Sequence, residues 1–169
     1  MRTRTITAVV ALLLASSACG VVGGGDDKKA EEAIAKELMS SSDSTFKLEQ
    51  KQADCIGKGM VDKVGVDQMK EYGMLTDDLK ADSTPDSVEM SMDDAEATAD
   101  VFIDCADIDK LLRDQLQLGD LDPKVADCVD EALTDDVLRD FLAATFAGKE
   151  ADTASAALLE PLTKCMTGA

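Results

Sequence analysis

The side chains with the most chemistry to offer carry sulfur: Cys19, Cys55, Cys105, Cys128 and Cys165, together with eight methionines. A thiol can bridge to another thiol, ligate a metal, accept an acyl group or act as a nucleophile. Structural zinc requires closely spaced cysteine pairs or added histidines, and this chain has no C-x-x-C and no histidine. The missing histidine also removes the commonest general base, so neither a Ser–His–Asp nor a Cys–His nucleophile can be assembled. G-x-S-x-G, P-loop and G-x-G-x-x-G patterns are absent as well. Paired carboxylates cleave glycosides, and there are 35 acidic residues, but one Tyr, four Phe and no Trp offer little aromatic platform for a sugar. No enzymatic activity and no cofactor are expected.

Two patterns could hold a cation. Asp104, Asp107 and Asp109 surround Cys105, with Asp120 and Asp122 nearby. Carboxylate oxygens suit Ca²⁺, yet the Asp/Asn triplet followed by glycine that marks an EF-hand loop is lacking, and Asp at a helix start is ordinary capping. Met90-x-Met92 lies among acidic residues, with Met39, Met60, Met69 and Met74 in the same half. Thioethers suit Cu(I), whereas Met60 and Met69 fit apolar helix faces, where methionine is a common gap-filler. Capping and core packing are the expected roles, and no metal site is assigned.

Cys19 stands apart from the other four. Arg2 and Arg4 precede an apolar run, ITAVVALLL (residues 6–14), and Ser16, Ser17 and Ala18 lead into Cys19. This is the layout of a secretory signal, its apolar run too short for a stable membrane span. Either a general signal peptidase cuts after Ala18, or Ala18-Cys19 is a lipobox whose cysteine takes a diacylglycerol and becomes the new N-terminus. LLLASSACG resembles bacterial lipoprotein signals, although Ser16 stands where those signals usually carry Leu. An odd thiol in an exported protein needs its own explanation, and lipidation of Cys19 supplies one. The glycine-rich GVVGGG that follows reads as a flexible tether. The expected organisation is a signal peptide over 1–18, a lipid-anchored tether able to hold a helix over 19–45, and a helical domain over 46–169.

Ala, Leu, Met, Lys, Glu and Asp dominate the rest of the chain, which favours an all-α domain. Apolar spacing predicts helices over 26–39 (Ala30, Ile34, Leu38) and 48–64 (Ala53, Ile56, Met60, Val64), the second ending at Gly65. Gly57 and Gly59 weaken that helix but allow close approach of a neighbouring backbone. Asp67 is expected to cap a short helix ending at Gly73, and Thr76 another through Leu79, before a loop over 81–89. Ser91 and Asp94 mark a helix start running to 104, and Asp107 one running to 116. Asp122-Pro123 is the clearest start of all. Its helix carries Val125, Val129, Ala132 and Leu133. Thr134 opens the next, with Val137, Leu138, Phe141, Leu142 and Phe146 up to Gly148. A last helix is expected over 153–166, bent or interrupted at Pro161.

A weak internal repeat relates residues 48–116 to 122–169: Ala53-Asp54-Cys55-Ile56 matches Ala126-Asp127-Cys128-Val129, and each half ends in an apolar helix bearing Cys105 or Cys165. Four cysteines allow three connectivities; duplication of a unit with one bridge each predicts Cys55–Cys105 and Cys128–Cys165. Such staples contribute typically about 2–4 kcal/mol apiece. The repeated pattern of ADC(I/V), a D-x-x-M/L helix ending in Gly and a later apolar helix ending in Cys looks like small acidic disulfide-containing lipoproteins of actinobacteria, of unknown function. That resemblance implies location and architecture, and carries no activity or site residues with it.

With 17 basic and 35 acidic residues the formal charge is −18. A field of that sign repels nucleic acid and attracts basic or cationic partners, while the simpler expectation for such a charge is solubility alone. The expected protein is a membrane-anchored, extracytoplasmic, non-enzymatic interaction module, or a secreted one if the lipobox is not used. The alternative is a lipoprotein that binds a metal, Cu(I) or Ca²⁺, or a small ligand.

Overall fold

Three of the longer helices begin where a short polar side chain accepts an otherwise unpaired backbone N–H. In the computed structural model, which describes residues 24–40, 48–82, 88–108, 110–111, 122–149 and 151–168, the domain is all-α. Its helices are α1 (Asp26–Ser40), α2 (Gln50–Lys63), α3 (Val66–Glu71), α4 (Met92–Cys105), α5 (Pro123–Ala132), α6 (Asp135–Phe146) and α7 (Ala151–Gly168). Ser91 Oγ accepts the Asp94 N–H at the head of α4, Asp122 Oδ1 accepts the Lys124 N–H at α5, and Thr134 Oγ1 accepts the Val137 N–H at α6. Asp107 Oδ1 likewise accepts from the Lys110 N–H, although the end of the helix expected there lies outside the described residues. So do the signal segment, Cys19, Asp109 and Asp120.

Three local expectations are corrected. Asp67 is not a cap: the N-cap lies two residues earlier, at Gly65 with φ 88°, a left-handed value that glycine adopts without a Cβ penalty. The same glycine closes α2, its N–H donating to the Met60 carbonyl. Thr76 begins no helix. Residues 75–81 form a tight turn closed by an antiparallel bridge between Leu75 and Ala81. There the Thr76 N–H donates to the Lys80 carbonyl and Thr76 Oγ1 accepts the Lys80 N–H. Finally, the interruption offered as one outcome at Pro161 does not occur, since α7 is continuous through it. A proline deletes one backbone donor, and the helix persists around it, with Leu158 and Leu162 buried on either side.

Packing follows a simple succession: α1 against α2, α2 against α4, α4 against α6, α6 against α7 and α7 against α5. Ala30, Ile34 and Ala35 bury the inner face of α1, so this helix belongs to the body of the fold. Ile56, Met60, Met69 and Leu138 are almost wholly withdrawn from solvent, each contributing about 1.5–3 kcal/mol of apolar burial. The two glycines in α2 serve two neighbours. A Cβ on Gly57 would meet the Glu31 carbonyl of α1, and one on Gly59 would meet the Val101 side chain of α4. Two residues on a helix are about 200° apart, so the missing side chains thin α2 on both flanks.

Candidate functional site

The sulfur atoms fall into place first. Cys55 of α2 bonds Cys105 at the end of α4, and Cys128 of α5 bonds Cys165 of α7, with Cα separations of 5.5 and 5.6 Å. Each bridge therefore joins two helices within one half of the sequence repeat. In each half the first cysteine is the sixth residue of its helix, and the apolar residue that follows it, Ile56 or Val129, is buried. While bonded, neither pair offers a thiolate as nucleophile or metal ligand.

The methionines and aspartates singled out above divide between core, helix caps and surface. Met60 and Met69 are core residues. Met90 is buried too, and its sulfur accepts a hydrogen bond from the buried Thr98 hydroxyl at 3.6 Å. Met92 and Met39 are exposed. The Met90-x-Met92 spacing thus sends one thioether inward and the other outward, where they do not make a shared surface pair. Asp107 and Asp122 act as caps, and Asp104 is exposed. Among the described residues no group of three acidic, cysteine or histidine side chains is placed to hold a metal ion.

Charge is distributed unevenly. Helices α4, α5 and α6 carry eleven acidic residues against two bases, Lys124 and Arg139, whereas α1, α2 and α3 carry nine against seven. Arg139 is already committed. Its Nε donates to Asp100 Oδ1 at 2.5 Å, from α6 to α4, and a terminal nitrogen donates to Asp136 Oδ1 at 2.7 Å. Those bonds, Asp100 first, hold the guanidinium above its ordinary pKa. Lys58 is likewise raised by its hydrogen bond to Asp62 one turn along α2. On the acidic helices, Asp93, Glu96, Asp104, Asp127, Asp135 and Asp140 all face solvent.

Where α1, α2, α4 and α6 converge there is a partly open cavity of about 200 Å³ lined by Ile34, Leu38, Met60, Met74, Phe102 and Phe146. Glu37 and Asp82 reach its edge, and both engage other groups of the chain. The two phenylalanine rings lie 5.3 Å apart and tilted, a favourable arrangement for ring quadrupoles. Spacing along the sequence places Phe146 on an apolar face but gives no sign that it meets Phe102 across two helices. That three of the chain's four phenylalanines, Phe102, Phe141 and Phe146, fall in helices is the available signal.

No protein-family model, curated protein or solved structure matches this chain.

Proposed function

We propose that this chain is an exported binding module, anchored through acylated Cys19 at the extracytoplasmic face of the cell membrane, which offers an acidic surface to a cationic partner and performs no chemistry of its own. The carrying observation is the charge division: eleven acidic residues on α4, α5 and α6, with one of their two bases already held by Asp100 and Asp136. A field concentrated on one set of helices steers and orients a basic partner. The segment up to Ala18 supports export, and the thiol left over after two bridges supports the anchor. The small-ligand half of the alternative reading draws support from the apolar cavity.

The test is crosslinking on intact cells with the native chain and with a Glu96→Lys, Asp104→Lys, Asp127→Lys variant. The native chain is expected to capture a basic protein whose yield falls steeply towards about 1 M salt, where screening acts within about 3 Å. The variant is expected to lose that capture. Equal capture by both proteins would refute the acidic surface as the docking face.

A further inference from the structure

A second hollow adjoins the apolar cavity. It measures about 400 Å³, lies between α1 and the 75–81 turn, and is lined by Lys29, Lys36 and Lys80 together with Glu32 and Leu79. Glu37 and Ala81 line both spaces, so one opens beside the other. Three lysines around one hollow stand out in a chain of formal charge −18. Lys29 has a structural role, since its Nζ donates to the Asp78 carbonyl at 2.7 Å and so ties the turn to α1. The side chains of Lys36 and Lys80, one on the helix and one on the turn, make no hydrogen bond or ion pair among the described residues. The acidic side chains at the cavity edge, Glu37 and Asp82, do have partners.

We infer that the two hollows form one binding site for a single-chain amphipathic anion, its apolar tail in the cavity between Met60, Met74 and the Phe102–Phe146 pair, its carboxylate or phosphate head at Lys36 and Lys80. An apolar cleft with a few charged groups at one end is the ordinary build of a small-molecule site. Flexible methionines accommodate tails of varied shape. The size of the cavity suits a short acyl chain and is too small for a whole phospholipid. A cationic amphiphile would place its charge against the lysines. The site lies next to α1 and the turn, and the acidic surface proposed above is not needed for it.

Calorimetric titration of the mature chain with decanoate, decyl phosphate and decylammonium, each below its micelle concentration, and with decanol below its solubility limit, tests this. Decanoate or decyl phosphate is expected to bind at least about tenfold more tightly than decylammonium, with affinity falling as salt rises; which of the two is tighter identifies the head group. A Lys36→Glu, Lys80→Glu variant is expected to lose about tenfold for the anions and to bind decanol as before. If charge reversal also alters decanol binding, the Lys36→Gln, Lys80→Gln variant decides by the same comparison. Absence of binding by both anions, decylammonium binding as tightly as the anions, or anion affinity unchanged in the lysine variants would overturn the site.

Discussion

A Cβ placed on Gly57 would stand 2.5 Å from the carbonyl oxygen of Glu31, so α2 meets the backbone of α1 with nothing between them. Helix propensity alone favours Gly57→Ala by roughly 1 kcal/mol. The contact opposes it, because the obstructing atom is main chain and α1 would have to move as a unit. Overpacking of this kind typically costs about 1–3 kcal/mol. Gly57→Ala is therefore expected to lower the denaturation midpoint, although alanine is the better helix former. Urea unfolding checks this, and a stabilised variant would show that α1 is not held against α2 as described.

Reduction should be ordered. Cys55 is exposed, whereas Cys165 is buried at 2% exposure, and thiol–disulfide exchange depends on access to sulfur. Limited reductant followed by alkylation is expected to label Cys55 and Cys105 before Cys128 and Cys165. The bridges close loops with sequence separations of 50 and 37 residues. In the chain-entropy account each contributes roughly 4 kcal/mol, so full reduction should depress the melting temperature strongly.

Tyr72 joins α3 to the start of α4. Its hydroxyl donates to Asp94 Oδ2 at 2.6 Å and accepts the Ser91 N–H at 3.0 Å, while Ser91 Oγ also donates to the same carboxylate oxygen. Tyr72→Phe removes both bonds without emptying the site. A loss of about 1–2 kcal/mol is expected by chemical denaturation, at about 1 kcal/mol per bond with surface exposure reducing it.

How much of this can be read from the residues follows from how local each signal is. Ser91, Asp122-Pro123 and Thr134 mark helix starts because a cap is settled within four residues. The helical class follows from composition and apolar spacing, and the repeat of Ala-Asp-Cys around Cys55 and Cys128 flags two stapled halves. Thr76 has the form of a cap, so residues 76–79 read as a helix although they belong to a turn. What decides against the helix is the pairing of Leu75 with Ala81 and the tie from Lys29 to Asp78, 49 residues away. The cavity is not legible at all. It needs Ile34, Met74, Phe102 and Phe146 brought together from four parts of the chain, and spacing within one helix carries no such information.

Self-repulsion on α4, α5 and α6 has a stability consequence. Eleven acidic groups against two bases destabilise the compact state at low ionic strength. Raising salt from about 0.01 M to about 0.15 M shortens the screening length from about 30 Å to about 8 Å, so the melting temperature is expected to rise over that interval. A fall would mean that attractive pairs such as Arg139–Asp100 outweigh the repulsion.

Division of labour among the five thiols is the premise on which location and architecture both stand, and the intact mass of the protein taken from its native membrane tests it in one spectrum. The predicted value is that of a chain beginning at Cys19, increased by its acyl groups and reduced by one hydrogen for each of the four bridged sulfurs. A mass showing an unmodified Cys19 would contradict the anchor. Free thiols at Cys55, Cys105, Cys128 and Cys165 would contradict the stapled domain itself.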